Sequence, residues 1–219
     1  GCGYLDLNNS LAQSCDIFFL FVGRDNLGVD KIASYSKEFG FGQSLGIDLP
    51  AQQTGFVPTS QWKERRFHEK WTDGDTMNMS IGQGYTLVTP LHVANMIAMI
   101  CNEGVIYTPH LLKEVIHTDE NNILIVDNVY SEGIKKKVLS EESTALLRSY
   151  LERVVTEGSG TGARIEGYHI AGKTGTAQKV IDGKYAQGKY VSTFVGMTPV
   201  DNPELTIMVT IDEPSAGPY

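Results

Sequence analysis

Apolar residues follow a helical period in four stretches of this chain and a strand-like pattern near its C-terminal end. Thr89-Pro90 opens the clearest helix, with threonine as cap and proline at the first helical position. It runs to about Asn102 and carries Val93, Ala94, Ile97, Ala98 and Ile100, enough apolar surface to be buried. Ser140 caps another, whose buried face is Ala145, Leu146, Leu147, Leu151, Val154 and Val155; Ser143 stands where a capping box prefers glutamate. Earlier, Asn8 or Asn9 can cap a helix over Ser10 to Gly23. Val29 to Phe39 forms a further helix, with Ile32, Tyr35 and Phe39 near one face and Gly40 as its stop. From Gly40 to Asn78 periodicity is lost, which predicts an irregular, surface-lying stretch, although Pro58-Thr59-Ser60-Gln61-Trp62 reads as a turn into a polar helix start. Short strands are expected at Val105 to Tyr107, Leu111 to His117 and Ile123 to Val126. Three longer ones close the chain: Tyr168 to Lys179, Tyr190 to Val200 and Glu204 to Ile211, with Asp182 to Gly188 joining the first two. Helices gathered ahead of an antiparallel sheet predict an α+β fold.

The first long strand contains a misleading match. Gly167-Tyr-His-Ile-Ala-Gly-Lys-Thr174 satisfies the phosphate-binding P-loop pattern. That loop needs a buried strand before its first glycine and a helix starting at its lysine, so that backbone N–H groups hold the phosphates. Neither flank fits. Glu157 to Arg164 is a glycine-rich turn, Gly175 follows Thr174 at once, and Asp182-Gly183 is a strong hairpin signal. The acid-ended run Ile207 to Glu213 imitates a magnesium-binding strand, but apolar strands ending in acids are common. The strand reading instead sets Lys173, Thr174, Gly175 and Thr176 along a sheet edge or cleft lip, with Gly175 allowing close backbone approach.

Composition narrows the function. With 41% apolar residues the 219-residue chain can bury a substantial core. A net charge of −8 argues against nucleic-acid binding. No run of eighteen apolar residues marks a membrane span. Cys2, Cys15 and Cys101 lack metal-ligand spacing, and their odd number suggests no disulfide framework; Cys15 reads as a small buried filler. The histidines are scattered, so no metal or cofactor is expected.

Ala171-Gly172-Lys173-Thr174-Gly175-Thr176-Ala177-Gln178 closely resembles the third active-site motif of class B penicillin-binding proteins, which cross-link bacterial peptidoglycan. Ser14-Cys15-Asp16 within Leu11 to Phe19 resembles their second motif, serine-any-asparagine, and implies a helix break near Ser14. Gly40-Phe41-Gly42 through Gly46 to Pro50, Trp71 to Asp75, and Ser80 to Tyr85 with Thr89-Pro90-Leu91 resemble further family segments in register, so the likeness runs from about Gly3 to about Pro214. The resemblance implies the penicillin-binding/β-lactamase-like transpeptidase fold and a serine acyl-enzyme inhibited by β-lactams. In that scheme Lys173, with the Thr174 and Thr176 hydroxyls, receives a carboxylate. The Thr176 N–H is one oxyanion donor, and Ser14 relays a proton to the leaving amine. Without the motif, Lys173 would read as a solvated strand lysine and Ser14 as a helix cap.

The family's nucleophile is a serine in a serine-any-any-lysine motif upstream of Ser14. Only thirteen residues precede Ser14 and none forms that pattern. Ser34-Tyr35-Ser36-Lys37 and Ser60-Gln61-Trp62-Lys63 match it but lie in the wrong order. The expectation is therefore a partial transpeptidase domain over 1–219, cut downstream of its serine, ending before the family's final helix and inactive alone. Asp16 departs from the usual asparagine: an ionised aspartate only accepts, and pairing with the upstream lysine is the role expected of it. Gln83 either lends a polar side chain to substrate or sits in a glycine turn, the turn being favoured; Trp62 and Trp71 are expected to pin loops.

Sibling acyl enzymes (a D,D-carboxypeptidase, a serine β-lactamase or a penicillin-sensing receptor) share the lysine-threonine-glycine strand. The block from Trp71 to Tyr85 leans towards transpeptidases, and a non-catalytic binding or scaffold module is the further alternative. The implied partners are a peptidoglycan stem peptide, β-lactams, and a glycosyltransferase or divisome or elongasome component. The resemblance also implies an extracytoplasmic domain of a protein anchored in the cytoplasmic membrane.

Overall fold

The computed structural model describes residues 2–128, 133 and 136–215. Three antiparallel strands, β5 (Ala171–Ile181), β6 (Lys184–Thr198) and β7 (Leu205–Asp212), form the main sheet in that spatial order. Two helices cover one of its faces, α6 (Pro90–Cys101) and α7 (Glu141–Thr156). The core lies between these layers: Ile97, Met99, Ile100 and Leu151 from the helices meet Ala171, Val195 and Met197 from the strands. Along β7 burial alternates from Leu205 to Val209 and is lost beyond it. Thr206 and Met208 turn inward, whereas Leu205, Ile207, Val209 and Ile211 stay exposed on the far face.

The helix starts follow their expected chemistry. The Thr89 hydroxyl accepts from His92 N–H at 3.3 Å and bonds its ring Nδ1 at 2.7 Å, and the His92 Nε2 reaches the Gln43 carbonyl at 2.9 Å. Because that cap also fixes a fully buried imidazole, Thr89→Ala is expected to cost about 1 kcal/mol in denaturant unfolding. An unchanged midpoint would show that the cap contributes nothing. Ser140 caps α7 by accepting from Ser143 N–H at 3.1 Å.

Other local expectations are corrected. Asp6, not Asn8 or Asn9, caps α1 (Leu7–Ala12), its carboxylate accepting from Asn9 N–H at 2.8 Å. The helix break expected near Ser14 is present, separating α1 from α2 (Asp16–Val22), but the first helix starts earlier than Ser10, at Leu7; a π turn over Gly23–Leu27 then leads to α3 (Gly28–Glu38). Within the stretch expected to be irregular, the helix start read at Pro58 to Trp62 is made as α4 (Ser60–Phe67), capped by Thr59, whereas α5 (Asp73–Ser80) is unexpected. The start of α5 is held by a capping box of Thr72 and Asp75. The latter's carboxylate also takes the buried Lys63 ammonium at 2.6 Å. Asp182 and Gly183, both at positive φ (51° and 76°), make the two-residue hairpin turn, so β5 and β6 extend to Ile181 and from Lys184 rather than leaving a loop to Gly188. A register shift between Gln178 and Val180 absorbs the change in pairing. Short ladders β1 (Val105–Ile106) with β4 (Lys136–Lys137), and β2 (Glu114–Thr118) with β3 (Leu124–Asn128), complete the described strands.

Candidate active site

The break between α1 and α2 makes one wall of a cleft. Ser14 takes the left-handed conformation, φ 55°, which turns the chain so that Cys15 takes the N-cap position of α2 without a side-chain capping bond. Cys15 is buried as expected but is bonded to Cys2, where the odd cysteine number suggests no disulfide framework; Cys101 is the remaining free thiol. The bridge ties the extended residues before α1 to the motif loop between Ser14 and Asp16.

Strand β5 makes the opposite wall. The Lys173 ammonium donates to Ser14 Oγ at 2.7 Å and to the Thr174 carbonyl at 2.9 Å, so residues 159 positions apart in sequence meet directly. Burial pushes the Lys173 pKa below its ordinary value, and the nearby Asp16 carboxylate opposes that shift. Partial desolvation makes the protonated group strongly attractive to an anion and readier than an exposed lysine to give up a proton. The cleft has a volume of about 530 Å³, and Ser14, Asp16, Thr174, Gly175 and Thr176 line it beside Ser192, Thr193 and Phe194 of β6.

The glycines of β5 are required by close contacts. A Cβ on Gly175 would stand 2.6 Å from Thr193 Oγ1, whose hydroxyl donates to the Gly175 carbonyl at 3.2 Å. One on Gly172 would stand 2.5 Å from the Phe194 ring and 2.7 Å from the Val195 carbonyl oxygen. Lys173 and Thr174 lie inside a paired strand, with Val195 and Phe194 as partners, which removes the helix N-terminus that a P-loop needs.

The structure adds one residue that the sequence motifs did not single out. Ser159, from the glycine-rich turn after α7, also lines the cleft, with its Oγ 2.9 Å from Thr174 Oγ1. Gln83 is not among the residues lining this cleft. It occupies a turn between Gly82 (φ 73°) and Gly84 (φ 76°), its N–H donating to the Asn78 carbonyl at 2.9 Å. Trp62 packs among Phe56, Phe67 and Tyr85, and Trp71 donates from Nε1 to Thr76 Oγ1 at 2.8 Å, so both pin loops. The two downstream serine-any-any-lysine matches are also elsewhere: Ser34 and Lys37 lie exposed on α3 and are not among the residues lining the cleft, and Lys63 is committed to Asp75.

Related proteins share this arrangement of chain. The sequence is 38% identical over 202 residues to stage V sporulation protein D of Bacillus subtilis, covering 92% of this chain and 29% of that protein. It is 34% identical over 218 residues to the peptidoglycan D,D-transpeptidase MrdA of Acinetobacter baumannii, covering 95% of this chain and 32% of that one. The fold superposes on penicillin binding protein 3 of Mycobacterium tuberculosis, solved with aztreonam, with a TM-score of 0.81 and 27% identity over 95% of this chain and 45% of that structure. The chain thus spans about a third of the curated relatives' length. Its sequence also matches the family described as the penicillin binding protein transpeptidase domain across residues 1–219. A match of that extent, together with two relatives above 30% identity, places this chain in the penicillin binding protein transpeptidase domain family.

Proposed function

We propose that the protein carrying this chain is a peptidoglycan D,D-transpeptidase, and that the chain supplies the carboxylate-binding strand and the proton-relay serine of its active site. The observation that carries this reading is the 2.7 Å bond from Lys173 Nζ to Ser14 Oγ inside a cleft walled by Thr174, Gly175 and Thr176. The A. baumannii relative is named for this reaction.

In this scheme a serine outside these residues attacks the carbonyl between the two terminal D-alanines of a stem peptide. An ester to the enzyme forms and the terminal D-alanine leaves as a free amine. The departing carboxylate is held by Lys173 and the threonine hydroxyls. Ser14 gives its proton to the leaving nitrogen and recovers one from Lys173, whose burial favours that transfer. The Thr176 N–H is one oxyanion donor. An amine of a neighbouring stem peptide then displaces the serine, completing the cross-link. Asp16, whose charge acts on Lys173, accepts from the lysine beside the nucleophile as well. The domain works outside the cytoplasmic membrane alongside a partner that supplies glycan strands.

Intact mass after incubation with benzylpenicillin tests this, on this chain and on the full-length protein. The expected result is an adduct on the full-length protein alone, mapped to a serine before residue 1. An adduct on Ser34 or Ser60 would overturn the assignment of the nucleophile. No adduct on either would move the protein to the non-catalytic class.

A further inference from the structure

Lys173 cannot accept a hydrogen bond, so every contact it makes spends one of its own protons. It donates to Ser14 Oγ and the Thr174 carbonyl, and stands 3.5 Å from Thr174 Oγ1. A hydroxyl so placed has its lone pairs towards the ammonium, and its own proton must go either to Ser159 Oγ, 2.9 Å away, or into the cleft. The direction of the Ser159–Thr174 bond therefore decides whether Thr174 can donate to a ligand.

The placement of Ser159 is built. Its N–H donates to the Ala12 carbonyl at 2.9 Å, and both neighbouring glycine N–H groups donate to the Val154 carbonyl (3.2 Å from Gly158, 2.9 Å from Gly160). The turn thereby rests on the ends of α7 and α1 at once, two residues from Ser14. The Ser159 hydroxyl is exposed to the cleft and has no other hydrogen-bond partner among the described residues.

We propose that Ser159 is a positioning residue: its hydroxyl donates to Thr174 Oγ1, so that the Thr174 proton points at the carboxylate of the substrate. A chain of donors ending on an anion is polarised along its length, each bond strengthening the next, so a carboxylate selects this direction over the reverse. Ser159 itself touches no reacting atom and acts through Thr174. The proposal rests on the acyl-transfer reading above.

The test compares acylation of the full-length protein by benzylpenicillin and by its carboxamide, which keeps the reactive ring and lacks the anion. Wild type is expected to prefer the acid. Ser159→Ala is expected to lower the rate constant for the acid by about 3- to 10-fold, the worth of one ordinary hydrogen bond, with the carboxamide rate and the melting temperature unchanged. Ser159→Thr, which keeps the hydroxyl, is expected to restore the acid rate. An equal loss for both ligands would make Ser159 merely structural and sink the proposal. A faster acid reaction in Ser159→Ala would show that Thr174 donates to Ser159, the reverse direction. If wild type itself does not distinguish acid from carboxamide, the carboxylate-binding role of the strand fails, and this inference with it.

Discussion

Replacing Lys173 with methionine is expected to lower the second-order rate constant for benzylpenicillin acylation of the full-length protein by about 30- to 1,000-fold. The magnitude is that of removing one member of a hydrogen-bonded charge pair from a partly desolvated site, roughly 2–4 kcal/mol. Methionine keeps the volume and the flexible stem, so the loss belongs to the ammonium. Stability should respond differently. Burial lowers the Lys173 pKa, so between its folded value and its ordinary one the folded protein binds fewer protons there than the unfolded chain. This group therefore adds stability as pH rises through that window, and below it the desolvated charge is a cost of folding. Lys173→Met removes that cost together with the bonds to Ser14 and the Thr174 carbonyl, and the melting temperature should change little. In wild type, affinity for carboxylate ligands falls as pH rises through the folded pKa of Lys173, which lies below 10.5; in the variant that fall disappears. Acylation within threefold of wild type would refute the anchoring role of this lysine. Lys173→Arg is not expected to rescue, since a planar guanidinium fixes its donors in one rigid fork, whereas the compact ammonium turns its protons to both Ser14 Oγ and the Thr174 carbonyl.

What could be read from sequence was what is decided locally. Thr89-Pro90 and Ser140 announce helices because a cap acts on N–H groups two or three residues away, and both caps are made. Asp182-Gly183 announces a hairpin because its conformation needs positive φ at both positions. Lys173 to Thr176 was legible for another reason: a motif with fixed residue types survives as a string. Helix α5 was hidden because Asp73-Gly74-Asp75-Thr76-Met77-Asn78-Met79-Ser80 has almost no apolar face. It forms because Thr72 and Asp75 cap it and because Thr76 and Met79 are buried against α2 and α3, which are distant in sequence. The Cys2–Cys15 bridge was missed because counting cysteines ignores where the helix break aims them. Ser159 left no signature beyond a serine between glycines, since its significance comes from the fold of the turn onto Ala12.

That turn makes the second large prediction, and it sets two glycines of one short segment against each other. Gly158 has no room for a side chain. A Cβ there would lie 2.1 Å from the Ala12 carbonyl oxygen, 2.8 Å from its carbon and 3.0 Å from Val154 Cα. All three are backbone or main-chain carbon atoms, so no rotamer change relieves the overlap; either α1 and α7 part or the turn lifts. Overpacking of this kind costs about 1–3 kcal/mol, which for a domain of this size lowers the melting temperature by roughly 2–12 °C. The damage should also reach the site, because lifting the turn breaks the Ser159 N–H to Ala12 bond and carries Ser159 away from Thr174. Gly158→Ala is therefore expected to lose both stability and acylation rate. Gly162, four residues on, has nothing within 4 Å of a built Cβ and no positive φ. Gly162→Ala should leave the rate unchanged and hold or slightly raise the melting temperature, because alanine restricts the unfolded chain more than glycine does. Thermal melts and acylation rates on the two variants decide the matter. Equal behaviour would mean that the contact between the ends of α1 and α7 does not hold the cleft, whereas opposite behaviour would tie the geometry around Ser14 and Thr174 to one missing methyl group at Gly158.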